Sequence, residues 1–294
     1  MADPLIILTP MRSFSSVVCA MLGQHPEMYG LPEVNLFIAD TVGEYWDMLE
    51  SRQHGRHGLL RALAQLHDGE QTDASVAAAT EWLLERRDWT CKKVFDHILE
   101  SVEPKIAVDK SPRSVLSMDS LNRAREMYPD ANYLHLTRHP RATSTSLLTN
   151  VSQNAEWGGN VDASRLDPEK IWVRAHQNVL DFTASLPLGQ VMRLRGEDLL
   201  AEPEVYLPQI AEWLFLDDSS AAIDAMMHPE TSDFSCRGPK AAELGNDPDF
   251  LDNPVLRPGR AALPELDGEL EWAKETGQTF TKETLKIARQ IGYG

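Results

Sequence analysis

Four short apolar runs, at residues 5–9, 105–109, 132–137 and 190–195, narrow the possible folds of this chain more than any other feature. Each has the length and hydrophobicity of a strand buried on both faces. Long stretches of helical spacing separate them, and strands joined through helices run parallel, whereas hairpins would need turn signals directly after each strand. The pattern predicts an α/β protein with a central parallel sheet of about four to five strands, flanked by helices. Helical periodicity appears at 15–24, 34–51, 59–67, 74–87, 92–102, 115–128, 143–151, 169–185, 205–215 and 282–291. Residues 34–103 carry four of these patterns and no strand, so they are expected to form a helical insertion or lid over the sheet. At 294 residues the chain fits one domain, 1–294, with a full core. Between 228 and 268 the composition turns to Pro, Gly, Asp and Asn. Its basic turns, Arg237-Gly-Pro-Lys240 and Arg257-Pro-Gly-Arg260, predict an irregular loop that closes over a ligand site.

The first strand runs into Thr9-Pro-Met-Arg-Ser-Phe-Ser-Ser16 and then into a helix. Such a turn aims backbone N–H groups, the positive end of a helix dipole, the Arg12 guanidinium and several hydroxyls at one spot, which is an anion site. The G-x-x-x-x-G-K-[ST] nucleotide loop is absent, since this turn has neither glycine nor lysine. Arg12 takes the place of that cation, and Ser15 and Ser16 are positioned to cap the helix while donating to the anion. A second strand ends the same way in Asn132-Tyr-Leu-His-Leu-Thr-Arg-His-Pro-Arg-Ala-Thr-Ser-Thr-Ser146. Arg138 stands at the strand's carboxyl end, Pro140 suits a first helical turn, and Ser146 follows Arg138 by eight residues. Side by side, two such strand ends make a crevice at the carboxyl edge of a parallel sheet, where open α/β folds bind ligands. Two anion sites predict a ligand with two separate phosphate groups.

With these motifs the chain resembles the PAPS-dependent sulfotransferases, whose signature pairs a Pro-Arg-Ser-Gly-Thr-Thr-like loop with an Arg followed eight residues later by a Ser. Pro10–Ser16 and Arg138…Ser146 are the matches. Arg195-Gly-Glu-Asp-Leu-Leu-Ala-Glu-Pro203 is similar to the family's Arg-Tyr-Glu-Asp-Leu…Pro stretch, and Arg257-Pro-Gly-Arg260 to its basic loop over the 3′-phosphate. The resemblance implies a P-loop-like three-layer fold. It also implies that Arg12, Ser13, Phe14, Ser15, Ser16 and Val17 hold the 5′-phosphosulfate end of PAPS. Arg138, Ser146, Arg257, Gly259 and Arg260 would then hold the 3′-phosphate. Three departures stand out, the first an extra Met11 between Pro10 and Arg12. Phe14 replaces the usual glycine, so a positive φ there would be strained. Gly196 replaces the aromatic residue often found near the adenine.

Sulfuryl transfer needs a base for the acceptor hydroxyl and positive charge on the bridging oxygen as PAP leaves. Glu33, in His25-Pro-Glu-Met-Tyr-Gly-Leu-Pro-Glu-Val-Asn-Leu-Phe37, matches the place of the base in the trehalose-type and tyrosine-type branches. Partial burial would raise its pKa toward a useful range. As a plain structural residue, Glu33 would suit the start of the 34–51 helix. His25, His97 and His176 are the rival bases. Lys110 resembles the lysine that assists the bridging oxygen; alternatively it is a solvated lysine paired with Asp109. No metal is expected, because cations and a helix dipole supply the charge. The acidic stretch Asn246-Asp-Pro-Asp-Phe-Leu-Asp252 lacks the calcium-loop pattern and reads as solvated turn residues. The aromatic residues at 45, 46, 82 and 89 read mostly as core.

Formal net charge is −17, which argues against nucleic-acid or anionic-membrane partners and mildly against a polyanionic sugar acceptor. A small-molecule or natural-product hydroxyl is expected. Three scattered cysteines form neither a disulfide framework nor a zinc pattern, and Cys19 falls in an apolar helix. No run approaches a membrane span or a signal-peptide core, which predicts a cytoplasmic protein. Oligomeric state has no signature in the sequence. Two other readings fit parts of the pattern: a P-loop-related small-molecule kinase, opposed by the missing lysine, and a catalytically silent PAP/PAPS-binding protein.

Overall fold

The computed structural model describes residues 2–153, 166–259 and 263–294. Five strands form one parallel sheet: β1 (Leu5–Leu8), β2 (Met28–Gly30), β3 (Ile106–Lys110), β4 (Asn132–Thr137) and β5 (Val191–Arg195), in the order β2-β3-β1-β4-β5. β1 is central, with Leu5 opposite Val108 on one side and opposite Asn132 on the other. All four of its residues are buried, and their alternation divides them between two cores. Ile6 and Leu8 join the core that holds residues 31–102, whereas Leu5 and Ile7 face the opposite layer with Val18, Met21 and Leu207. Each such side chain contributes roughly 1.5–3 kcal/mol of burial.

The described helices are α1 (Ser15–Gly23), α2 (Val42–Met48), α3 (His57–Asp68), α4 (Asp73–Leu84) and α5 (Cys91–Val102). They continue with α6 (Met118–Met127), α7 (Pro140–Gln153), α8 (Pro168–Thr183) and α9 (Gly196–Ala201). The last four are α10 (Pro203–Trp213), α11 (Ser220–Met226), α12 (Pro248–Asp252) and α13 (Lys282–Gln290). No described helix is long and apolar enough to cross a membrane.

Three local differences from the sequence expectations have plain causes. β2, three residues long, is too short to show a period, and a glycine admits it: a Cβ at Gly30 would come within 2.6 Å of the Cys19 carbonyl oxygen. The helix expected over 34–51 is broken. Asn35 takes a left-handed φ of 54°, and α2 starts afresh from a Thr41–Glu44 capping box. Inside the 228–268 segment the short α12 forms, with Asp247 as its cap.

The chain leaves β1 toward β3 and β2 on one side and reaches β4 and β5 on the other. Between β1 and β4 the strand order therefore reverses, and a crevice opens at their carboxyl ends. Both basic turns empty into that crevice.

Candidate functional site

The elbow from β1 into α1 is held in an unusual backbone conformation. Arg12 and Phe14 both have φ 65°. For side chains other than glycine this region costs on the order of 1–3 kcal/mol each, and such strain gathers at ligand clamps. Phe14 is the N-cap of α1, and no side chain caps the helix, so its first-turn N–H groups face the crevice with no side-chain acceptor. Ser15 and Ser16 do not cap, contrary to the expectation. Gly196 explains how Phe14 is tolerated: a Cβ there would stand 2.5 Å from Phe14 Cδ2. The two positions at which the sequence departs from the pattern it resembles thus lie against each other. Arg138 completes the stack, its guanidinium carbon 4.2 Å from the centre of the Phe14 ring.

Arg12 and Arg138 meet across the β1–β4 crevice. Arg138 Nη1 donates to the Arg12 carbonyl at 2.6 Å, while Arg12 Nε donates to Ser146 Oγ at 3.0 Å. Arg138 Nε is buried without a hydrogen-bond partner, as is Ser13 Oγ. Burial also pulls the Arg138 pKa below the usual guanidinium value, although Glu197 opposes this. An orphaned donor on a buried cation fits a bound anion. Arg12, Phe14, Arg138, Ser146 and Arg257 line a cavity of about 370 Å³, together with Ser16 and Val17.

The acids at 247 and 249 are not simply solvated turn residues. Asp247 accepts from Arg12 Nη1 at 2.5 Å, Asp249 is paired with Nη2, and the Asp247 N–H donates to Ser16 Oγ at 3.0 Å. Two carboxylates therefore sit on the guanidinium expected to hold a phosphate. Asp252, by contrast, pairs at the surface with Arg237.

A second cavity, about 250 Å³, shares Arg12, Ser16 and Asp247 with the first and also contains Ser15 and Glu33. Beneath the shared wall lies Lys110, wholly buried and therefore not the solvated lysine of the alternative reading. Its Nζ donates to Glu33 Oε1 and to Ser16 Oγ, both at 2.8 Å. Asp109 turns away from it and accepts from Ser111 Oγ at 3.0 Å through Oδ1, leaving Oδ2 unpartnered. Burial pushes the Asp109 carboxyl up to about 7, against the opposing pull of Ser111 and Lys110. A carboxylate, a lysine and an arginine thus converge where two cavities meet. The arrangement can take a proton on one side and neutralise a departing anion on the other.

The rival histidines are engaged elsewhere. His25 bonds the Asp217 carbonyl at 2.8 Å and accepts from the Glu27 N–H. His97 meets His67 at 2.8 Å and stacks on Trp82. His176 is buried against His135, and burial pushes its pKa down to about 3. Gly259 is exposed at φ 142° with open space around it and lines neither cavity, and Arg260 lies outside the described residues. Sequence reasoning missed Arg52, His54 and Arg113, which line the second cavity. The available signals were the basic cluster Arg52-Gln-His-Gly-Arg-His57 and the turn Ser111-Pro-Arg113 directly after β3.

Comparison with known proteins bears on the family and the fold. A family model described as "Sulfotransferase family" matches residues 4–220. Among solved structures, the chain is similar to the sulfotransferase domain from the curacin biosynthetic pathway, at 24% identity and TM-score 0.79, covering 100% of this chain and 99% of that one. The sulfotransferase domain of the Synechococcus PCC 7002 olefin synthase is similar at 23% identity and TM-score 0.76, over 100% and 95% of the two chains. A sulfotransferase from Alicyclobacillus acidocaldarius follows at 13% and 0.54, over 100% and 98%. No curated protein matches. At these identities the structural likeness speaks to the fold.

Proposed function

The chain belongs to the sulfotransferase family, and from that premise we propose that it transfers a sulfuryl group in line from PAPS to the hydroxyl of a small acceptor, releasing PAP. The observation that carries this reading is the shared wall of the two cavities. Arg12, Ser16 and the uncapped start of α1 face one side, while Glu33 and Lys110 stand at the other. Arg138, with its orphaned Nε, and Ser146 supply the second anion contact, and Arg257 lines the rim. PAPS would bring two phosphate positions and the sulfuryl group.

Glu33 accepts the acceptor's proton as the new S–O bond forms and the bond to the PAP phosphate breaks. Such base assistance is worth roughly 10²–10⁴ in rate. Lys110 fixes the Glu33 carboxylate and places a cation beside Ser16, where negative charge grows on the leaving oxygen. Arg12 exchanges Asp247 and Asp249 for phosphate oxygens. The small second cavity and the acidic surface suit a small or natural-product hydroxyl better than a polyanionic chain.

Thermal melting with PAP and with AMP tests the two-phosphate site. A ligand at about 100 times its Kd adds about 2.7 kcal/mol of stability. PAP is expected to raise Tm well beyond AMP, and Arg138→Ala to erase the difference. Equal shifts in the parent protein would refute the assignment.

A further inference from the structure

The second cavity holds more positive charge than a bare hydroxyl requires. Arg113 follows β3 by three residues, and Arg52 lies on the turn after α2, where the backbone leaves helical geometry at φ −138°, ψ 58°. Both line the cavity that holds Glu33. Their backbones bond to Leu49 and Leu116, but neither guanidinium forms an ion pair or hydrogen bond with a described residue, in a chain with 45 acids against 28 Lys and Arg. Other arginines of the fold are taken up: Arg56 bonds the Trp46 carbonyl, Arg61 the Leu244 carbonyl, Arg123 Asp40 and Arg195 Asp198.

Arg113 is also half-buried. It packs over Gly55, where a Cβ would stand 3.5 Å from its Nη2. Burial lowers its pKa, and the acid that chiefly offsets this is Glu33, already held by Lys110. His54 in the same wall has its pKa lowered by burial and by both guanidiniums, so at neutral pH it is an uncharged hydrogen-bonding group. Withdrawing a guanidinium from water without a counter-charge is costly, and the cost is recovered when a ligand brings that charge.

We propose that the acceptor carries, besides its hydroxyl, an anionic group, either carboxylate or phosphate. Arg113 binds this group with Arg52 while the hydroxyl reaches Glu33. Leu116, Leu147 and Leu244 cover the carbon chain between the two ends. The role of the hydroxyl rests on the sulfuryl-transfer reading; the anion site does not.

The test supplies the full-length protein and PAPS with straight-chain ω-hydroxycarboxylates, their methyl esters and the matching ω-hydroxyalkyl phosphates, and follows PAP release. An acid or phosphate is expected to exceed the ester in kcat/KM by about tenfold or more, and the better of the two names the anion. Arg113→Gln should collapse that ratio and Arg113→Lys should keep part of it. Equal turnover of acid, phosphate and ester by the parent protein overturns the proposal. So does an Arg113→Gln loss that is equal for charged and neutral acceptors. If no acceptor releases PAP, the transfer reading fails and the anion site is decided by binding. In that case, calorimetric titration of the same acids and phosphates into the PAP complex should give binding that the esters lack and that Arg113→Gln abolishes. Binding that ignores the charge overturns the proposal.

Discussion

At the scale of single residues, the site depends on a carboxylate kept next to a buried lysine. Glu33 is half-exposed to the second cavity, and Lys110 holds one of its oxygens at 2.8 Å. Glu33→Gln keeps the shape and an acceptor for Lys110, so PAP should still raise Tm while turnover falls by about 10²–10⁴. A parallel loss of PAP binding would make Glu33 a donor-site residue instead. Asp109, one residue before Lys110, gives a pH signature. Its folded pKa of about 7 lies above the ordinary carboxylate value of 3.8. Below about pH 4 both states hold the proton; between pH 4 and 7 the unfolded chain loses it first, so stability falls as pH rises, by up to about 1.4 kcal/mol per unit. Asp109→Asn retains the Ser111 contact and removes this slope. Urea unfolding at several pH values should show the variant gaining on the parent from pH 4 to 7, and a constant difference would refute the buried-acid assignment. Glu33 and Lys110 were singled out in the sequence by resemblance to family positions, Lys110 also by its place at the end of the third strand. Their ion pair was not, since 77 positions separate them.

At the scale of elements, the β1–α1 elbow and α12 decide how the first cavity is shaped. Gly196 opens α9 under the Phe14 ring, which in turn carries Arg138. Gly196→Ala forces the ring to move, and overpacking of this kind costs roughly 1–3 kcal/mol. The variant should melt earlier and bind PAP more weakly; unchanged PAP affinity would separate the ring from the donor site. The acids around α12 act in the opposite sense. Asp247 and Asp249 occupy Arg12, and in the proposed function they give it up to a phosphate. The double variant Asp247→Asn/Asp249→Asn is therefore expected to tighten PAP binding severalfold by calorimetry. Weaker binding would show that the acids orient Arg12 rather than compete for it. The acidic run at 246–252 looked like an ordinary solvated turn because its partner lies 235 positions away.

At the scale of the whole molecule, the helical block and the sheet share one core. Leu36, Phe37, Leu63 and Phe95 belong to the same buried cluster as Ile6, Leu8 and Tyr133. A lid that moved freely would need its own core, so we expect the chain to unfold as one domain in a single transition with coincident fluorescence and circular-dichroism curves. Two separated transitions would make residues 34–103 an independent unit. Sequence alone determined the parallel sheet, its strand-to-helix turns and the cations at their tips, because these follow from local periodicity and from the chemistry of a few adjacent side chains. Tertiary structure alone decided which groups face one another: Lys110 against Glu33, two aspartates on Arg12, a glycine making room for Phe14, and, beside Glu33, two guanidiniums without an ion-pair partner among the described residues. Those pairings depend on the crossing of distant segments at the sheet's carboxyl edge, where a few ångströms separate a counter-ion from a solvated charge, and no local pattern encodes such distances.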